Sequence, residues 1–258
     1  MNEQKKYEFT GEIKVVFGIN FKQIRAIINF GCVVAGEIGG WIESEENLSQ
    51  SGDAWVSGNA RVYGDAWVSG NAEVSGNAEV SGNAEVSGDA RVSGNAWVYG
   101  NARVSGNAEV SGNAEVSGNA WVSGDARVSG NAWVYGNARV YGNAEVSGDA
   151  RVSGNAWVYG NARVYGNAWV YGDAWVYGNA EVKKDDDYMV IGGAGRCNRF
   201  TTFFKCRDKT IKVVCGCFFG TIIEFRAKVK ETHNGNKHEK VYLAMADMVE
   251  LQLNDDDK

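Results

Sequence analysis

The sequence predicts a mostly β chain organised around a parallel β-solenoid. From Ser51 to Val182 the six-residue phrase Ser/Tyr-Gly-Asn/Asp-Ala-x-Val repeats 22 times without an insertion. In each copy Ala and Val stand two residues apart, which places both side chains on one side of a short strand. Gly-Asn or Gly-Asp then supplies a corner, because both residues tolerate a positive φ. A strand and a corner of fixed length, repeated many times, define a solenoid.

A second periodicity indicates how many hexads form one coil. Neighbouring strands lie about 4.8 Å apart, so variable residues stacked one coil apart should be complementary. Every second or fourth hexad gives no order, whereas every third hexad gives a strict alternation after Trp55. We therefore predict coils of three hexads and 18 residues, and we call the side with this alternation the charge face. Its charged residues are Glu73, Arg91, Glu109, Arg127, Glu145, Arg163 and Glu181.

The hexads resemble the repeat of left-handed parallel β-helices, the hexapeptide-repeat proteins. In that family an aliphatic residue and the small residue two positions before it point inward. Every pair from Ala54 and Val56 to Ala180 and Val182 matches this pattern. The resemblance covers about half of the chain and implies a left-handed coil, opposite to the usual crossover of parallel strands. It also implies homotrimers and, in many members, acyltransferase activity.

Outward-pointing aromatic residues accumulate on the other two faces toward the C-terminal end. One face is formed by every third hexad from Arg61 to Trp169, and we call it the alternating face because its Trp-Tyr pairs mostly alternate with small or charged residues. The third face is formed by every third hexad from Trp67 to Trp175, and it ends in Trp-Tyr pairs. Trp and Tyr serve as outward strand residues that cover a coil, but they are also enriched at interfaces. We predict a binding surface, and self-association as a homotrimer, through Trp97, Tyr99, Trp133, Tyr135, Trp157, Tyr159, Trp169, Tyr171, Trp175 and Tyr177.

Charge and composition disfavour several classes of protein. The net charge is −6, and the repeat carries all of it, with 7 Arg against 7 Glu and 6 Asp. Without a basic stripe, binding to a nucleic-acid backbone is not expected. The first residues contain no apolar signal core, and no run of about 18 apolar residues occurs. Five cysteines, an odd number, favour a reducing compartment, so we expect the host cytoplasm and no membrane partner.

Residues 1–50 are predicted to form an N-terminal cap. The open end of a solenoid exposes unpaired strand edges that would stack with another copy, and a cap blocks them. Residues 7–17 are typical of a strand, and the apolar spacing within 21–30 predicts a short helix. Leu48 and Val56 stand eight residues apart, so the six-residue register breaks between them.

Residues 183–258 are predicted to form a small α+β module after the repeat of residues 51–182. Short antiparallel strands are expected at 188–191, 201–205 and 211–215. Two helices should open at capping-box spacings, Thr221 with Glu224 and Asn236 with Glu239. Their expected apolar faces are Ile222, Phe225 and Val229, and Val241, Met245 and Met248.

Five segments that flank the repeat carry a second resemblance. They are Lys6-Tyr7-Glu8-Phe9-Thr10-Gly11-Glu12, Gly39-Gly40-Trp41-Ile42-Glu43, Thr201-Thr202-Phe203-Phe204, Cys215-Gly216-Cys217-Phe218 and Lys230-Glu231-Thr232-His233. These segments resemble an uncharacterised family of bacteriophage and prophage proteins, which implies a phage or prophage origin but no known activity. The chain departs from that family at Gly195-Arg196-Cys197, where the family has Gly-Ser-Arg.

Catalysis on the coils lacks a general base, because the chain's two histidines, His233 and His238, both follow the repeat. No hexad carries an insertion that would form an active-site loop. We therefore predict no catalytic residues and no enzyme. An acyltransferase that uses the histidines of the module is the alternative.

The module offers one candidate anion site and one candidate zinc site. The Gly-rich turn at residues 192–196, with Arg196 and Arg199 nearby, has the composition of an anion-binding loop, although a plain hairpin loop fits it as well. Cys197, Cys206, Cys215, Cys217 and His233 include zinc-ligand types, but their spacing matches no recognised zinc motif. We predict no metal and no other cofactor.

We interpret the chain as a non-enzymatic β-helical scaffold or binding protein of phage or prophage origin. Besides the acyltransferase, a phage sponge that sequesters a nucleotide at the Arg-bearing loop is the other alternative.

Overall fold

The computed structural model describes residues 5–194 and 199–254. Before the repeat it contains β1 (Tyr7–Val16), β2 (Ile19–Ala26), β3 (Ile38–Ile42) and a 3₁₀ turn (Glu45–Asn47). The hexad strands β4–β25 follow, each formed by the variable residue and the Val of one hexad. They run from Trp55–Val56 (β4) to Glu181–Val182 (β25), and each begins six residues after the previous one.

The hexad strands stack in parallel at intervals of one coil. Arg91 pairs with Glu73 of the preceding coil and with Glu109 of the following coil. The charge face is an eight-stranded sheet, the third face has seven strands, and the alternating face continues through β3, β2 and β1 into a ten-stranded sheet. The predicted parallel β-helix with three hexads per coil is confirmed. Its left-handed sense stays an expectation from the family resemblance.

The core of the solenoid is a column of Ala and Val side chains. Every hexad Ala and Val is buried, including Val122 and Val134 in the middle of the rod. The corners stack closely as well. Gly154 has φ +67°, and a Cβ added to it would lie 2.9 Å from the backbone N of Gly172. Corner glycine is therefore required both by conformation and by space.

Amide side chains form ladders along the corners. Most of the corner Asn side chains donate Nδ2 to the Oδ1 of the residue one coil further, as Asn83 does to Asn101 at 3.0 Å. A carboxylate accepts such a bond but cannot donate the next one, so an Asp ends a ladder. One ladder runs through Asn83, Asn101, Asn119, Asn137, Asn155 and Asp173.

The helix predicted within residues 21–30 is wrong, because this segment belongs to a hairpin. β1 and β2 pair antiparallel through a tight turn at Phe17 and Gly18, whose φ angles are +51° and +81°. Positive φ at both central residues is the turn geometry that suits a two-residue hairpin. The strand buries Phe21 and Ile24, whose apolar spacing had suggested a helix.

The N-terminal segment builds a partial first coil. Ile42 pairs in parallel with Val62, and Leu48 forms a parallel bridge with Val68. Both offsets are two residues longer than the repeat's 18, so the predicted break of register is a two-residue insertion. The same segment covers Trp55, which is only 4% exposed although its position in the hexad points outward.

After the repeat, a second 3₁₀ turn (Asp185–Asp187) leads into the antiparallel strands β26 (Tyr188–Ala194), β27 (Arg199–Lys205), β28 (Ile211–Cys215) and β29 (Phe218–Thr221). Helices α1 (Ile222–His233) and α2 (Lys237–Leu253) follow. Side chains alternate across this sheet. Phe204 and Val214 pack against the end of the solenoid, whereas Phe203 and Val213 pack against the helices.

Both helices begin where the sequence predicts, but only the apolar face of α1 is correct throughout. The capping box of Thr221 and Glu224 is present, and Ile222, Phe225 and Val229 are buried. The face predicted for α2 is partly correct, because Val241 and Met245 pack half-buried against the same core, whereas Met248 is 47% exposed. The buried residues lie one position further along, where α2 meets Phe225 of α1, and they are Tyr242, Ala246, Val249 and Leu253. No helix within the described ranges is long and apolar enough to span a membrane.

Candidate aromatic binding surface

Two columns of planar side chains run side by side along the C-terminal half of the third face. In the first, Tyr141, Tyr159 and Tyr177 stand one coil apart and stack at centroid distances of 4.9 and 4.6 Å. Phe219 of β29 continues this column at 4.1 Å from Tyr177. The spacing of stacked strands is close to the preferred separation of stacked rings, so the solenoid backbone itself sets the register.

The second column joins tryptophans and one arginine. The Arg139 guanidinium lies 5.8 Å from the ring centroid of Trp121 and 5.0 Å from that of Trp157. Trp157 and Trp175 then stack at 5.1 Å with an interplanar angle of 6°. Cation–π contact and stacking thus cover most ring faces in this column. The rings present mainly their edges to solvent.

Burial within the columns keeps the phenols neutral. Burial raises the pKa of Tyr177 to about 12, and it also raises the pKa of Tyr159, with a smaller contribution from the neighbouring tyrosines. The hydroxyl groups therefore remain protonated donors over the whole physiological range. Apart from Arg139, the side chains of both columns are uncharged.

On the alternating face, polar residues separate the aromatic pairs. Glu115 lies between Trp97 and Trp133, and Arg151 lies between Trp133 and Trp169. The rings there contact polar neighbours or the other ring of their own hexad: Trp97 with Tyr99 (4.6 Å) and Ser81, Trp133 with Arg151 (5.5 Å), and Trp169 with Tyr171 (5.2 Å) and Ser153.

The structure thus brings together four of the ten predicted surface residues, Trp157, Tyr159, Trp175 and Tyr177. The other six stand in three separate pairs, Trp97 with Tyr99, Trp133 with Tyr135, and Trp169 with Tyr171. The prediction missed Arg139, Tyr141 and Phe219, which belong to the same columns. The 18-residue period by itself assigns Arg139 and Tyr141 to the third face with Trp157 and Tyr159, whereas nothing in the repeat points to Phe219.

The charge face forms separate ion pairs. Each Arg forms an ion pair with the Glu one coil before it: Arg91 with Glu73 at 3.9 Å, Arg127 with Glu109 at 3.4 Å and Arg163 with Glu145 at 3.1 Å. Among the residues of this face that the structure describes, no ion pair within 4.0 Å joins an Arg to the Glu one coil after it. Since these groups are largely exposed, each pair contributes at most about 1 kcal/mol.

Residues 192–194 of the predicted anion site belong to the end of β26, and Arg199 is described only as the first residue of β27. Gly195 and Arg196 lie outside the described residues, as does the proposed zinc ligand Cys197. Of the other proposed zinc ligands, Cys206 packs against the solenoid end, whereas Cys215 packs against the helices. Within residues 5–194 and 199–254, no three His, Cys, Asp or Glu side chains are grouped to hold a metal ion.

Both histidines lie on the helix side of the C-terminal sheet. His233 ends α1 and stacks on Tyr242 at 5.5 Å, and His238 in the first turn of α2 lies 5.8 Å from His233. The sheet separates them from the coils, because only its opposite face packs against the solenoid.

Comparison with protein families concerns the repeat. The YdcK β-solenoid repeat model matches residues 54–70, 84–100, 96–112, 120–136, 132–146, 144–160, 156–172 and 162–178. These matches cover less than half of the chain, and all of them fall within the repeat of residues 51–182. No curated protein matches the chain. Repeat pattern and structure agree that the chain is a β-solenoid repeat protein whose coils are similar to those of the YdcK repeat.

Proposed function

We infer that this chain is a non-enzymatic β-helical scaffold or binding protein of phage or prophage origin, which self-associates as a homotrimer through its third face. The observation that carries this inference is the contiguous surface of Tyr141, Trp157, Tyr159, Trp175 and Tyr177. A regular aromatic surface on a rigid rod suits lateral contact, because Trp and Tyr bury a large area at little entropic cost.

The capping of both rod ends supports lateral rather than end-to-end contact. At the N-terminal edge, Lys6 and Asn47 donate to carbonyl groups of the first full coil. At the C-terminal edge, the backbone N–H groups of Trp169 and Trp175 donate to Asp185 and Thr202. Because the hydrogen-bonding groups of these strand edges already have partners, the edges cannot pair with the strands of another copy of the chain.

Molar mass in solution tests the proposal. Light scattering at micromolar concentration should give three times the 27.9 kDa of one chain. The double variant Tyr141→Ala with Trp157→Ala should dissociate the trimer while the rod keeps its far-ultraviolet circular dichroism. A mass of one chain for the unmodified protein would refute self-association.

A matched control distinguishes the two aromatic faces. Trp133→Ala with Tyr135→Ala removes one Trp and one Tyr from the alternating face and should leave the trimer intact. If only this control dissociates the assembly, the contact lies on the alternating face. If neither variant does, the contact lies in the segments that flank the repeat.

A further inference from the structure

The Trp column of the third face ends at an open cleft. Trp175 stacks on Trp157 with one ring face. Among the side chains that the structure describes, no ring or guanidinium continues the column on the other side of Trp175. A cleft of about 550 Å³ lies there, between the last coil and the C-terminal sheet, and it is lined by Asp173, Trp175, Phe200, Thr202, Val214, Gly216 and Cys217.

The neighbouring Tyr column shows what can occupy such a position. Phe219 continues it beyond Tyr177, at a centroid distance of 4.1 Å and an interplanar angle of 35°. The two columns are adjacent on the same three coils, yet the module supplies a ring to only one of them. The end of the Trp column is therefore a preformed stacking position.

The cleft has a second aromatic wall that is held in place. Phe200 lies against the backbone of Gly192, where an added Cβ would lie 2.5 Å from the Phe200 ring. Phe200 also remains 48% exposed. Thr202 accepts the N–H of Trp175 at 3.1 Å, which fixes β27 against the last coil. The rings of Trp175 and Phe200, held by the hydrogen bond between the last coil and β27, thus form a cleft that suits a planar group.

Asp173 is the acidic side chain among the described residues that line the cleft. Asp173 ends the corner ladder, and its Oδ1 accepts the Nδ2 of Asn155 at 3.0 Å. Its Oδ2 bonds no residue that the structure describes, so it can accept a further N–H. No Lys, Arg or His appears among the described residues that line the cleft.

We propose that this cleft binds a planar nitrogen heterocycle that carries an amino group, a purine nucleoside being the model ligand. The ring stacks on the free face of Trp175 in the position that Phe219 occupies beside it. The amino N–H donates to Asp173. Because the described lining carries an acid and no base, the uncharged nucleoside binds better than its phosphate ester.

The experiment titrates the full chain with adenosine, with purine riboside, which lacks the amino group, and with adenosine monophosphate. Calorimetry gives the affinity, and heteronuclear NMR follows the indole N–H resonances. The resonance of Trp175 is assigned by its absence in Trp175→Phe. We expect saturable binding of one adenosine per chain, a shift of the Trp175 resonance, and weaker binding of the other two compounds.

Variants locate the site. Trp175→Ala should weaken adenosine binding about tenfold or more, in the range measured for stacking of a base on an aromatic side chain. Trp97→Ala is the matched control, since Trp97 is 39% and Trp175 37% exposed, and it should have no effect. Asp173→Asn introduces the residue that the earlier coils carry at the equivalent position of this ladder. It should weaken adenosine binding several-fold and leave purine riboside unchanged.

Several outcomes would overturn the proposal. These are the absence of saturable binding at millimolar adenosine, equal effects of Trp175→Ala and Trp97→Ala, and tighter binding of the monophosphate than of adenosine. Trp175→Phe keeps a ring and should retain part of the affinity, which separates loss of stacking from misfolding. Trp175 also belongs to the proposed trimer face, so the molar mass of Trp175→Ala is measured beside its affinity for adenosine. A variant that keeps the molar mass of the unmodified chain and loses adenosine binding assigns the loss to the cleft and not to dissociation.

Discussion

The ammonium group of Lys6 lies 2.7 Å from the carbonyl oxygen of Ala54 and 3.1 Å from that of Gly52. One coil later, the equivalent carbonyl of Ala72 accepts the backbone N–H of Trp55 at 2.9 Å. A single buried lysine therefore replaces N–H groups of a coil that the chain does not have. Unpaired buried carbonyl groups would each cost about 1–3 kcal/mol.

The first prediction concerns the pH dependence that Lys6 confers. Desolvation lowers the pKa of Lys6 from 10.5 to about 8, although the nearby Asp53 charge opposes this shift. Between these two values the unfolded chain holds a proton that the folded chain has lost, so stability rises with pH in this window. Lys6→Met should be less stable than the unmodified chain at pH 7, by about 2 kcal/mol. The deficit should grow from pH 8 to pH 10.

Chemical denaturation of both proteins between pH 7 and pH 10 checks this. The phenols with raised pKa occur in both chains, so the difference isolates Lys6. Lys5→Met is the control, because Lys5 forms an exposed ion pair with Glu45 at 2.7 Å and its loss should cost less than about 1 kcal/mol. A deficit of Lys6→Met that shrinks above pH 8 would contradict the assignment.

The second prediction compares equivalent residues at the two rod ends. Asn47 and Asp187 stand five residues after the inward-pointing Ile42 and Val182, each at the end of a 3₁₀ turn. The Asn47 Nδ2 donates to two carbonyl oxygens of the first full coil, each at 2.9 Å. Asn47→Asp removes both bonds and places a carboxylate against carbonyl oxygens, so it should cost at least about 3 kcal/mol.

The reverse change at the other end keeps the hydrogen bonds to the backbone. The Asp187 Oδ2 accepts the N–H groups of Lys183 and Lys184 at 2.9 and 3.0 Å, and an asparagine can still accept both. Asp187→Asn also breaks the ion pair with Lys205, whose two side chains are only 9% and 15% exposed, so this change alone should cost about 3 kcal/mol. The double variant Asp187→Asn with Lys205→Met removes both charges of the pair and should be milder than Asn47→Asp. Melting curves test this asymmetry, and equal losses would mean that Asn47 does not act as a donor.

The sequence predicted the solenoid because each coil repeats the same local solution. Ala and Val recur at fixed spacing, so the inward column and the stacking of Glu73 on Arg91 follow from counting residues. Trp55 escaped prediction, because its burial depends on Phe30, which packs edge-on against it at 5.5 Å from outside the repeat. Lys6 escaped for the same reason, since only the three-dimensional end of the coil supplies its carbonyl partners.

The candidate surface was predictable where it depends on periodicity alone. Trp157 and Trp175 belong to the same face by their 18-residue spacing, and they stack. The contribution of Phe219 and the cleft beside Trp175 depends on how the C-terminal sheet packs on the last coil. No repeat specifies this packing, so neither could be read from the sequence.

The third prediction tests the charge face by reversing one charge. Arg127→Glu removes the pair with Glu109 and places three carboxylates in a row with Glu145. It should lower stability by about 1 kcal/mol, and the loss should shrink at high salt because exposed charges are screened. Arg139→Glu is the matched control, since its neighbours one coil away are Trp121 and Trp157. Its loss should depend much less on salt, and the same salt dependence in both variants would refute the stacking of charges.

The last prediction separates conformation from space at the corners. Gly154 and Gly172 occupy the same corner one coil apart, with φ +67° and +68°. An alanine at either position would be strained by the positive φ, by about 1–2 kcal/mol. A Cβ on Gly154 would also lie 2.9 Å from Gly172, whereas a Cβ on Gly172 meets nothing within 4 Å. Gly154→Ala should therefore lower the melting temperature more than Gly172→Ala, by the equivalent of about 1–3 kcal/mol of overpacking. If both variants have the same melting temperature, Gly154 and Gly172 do not stack as closely as the structure shows.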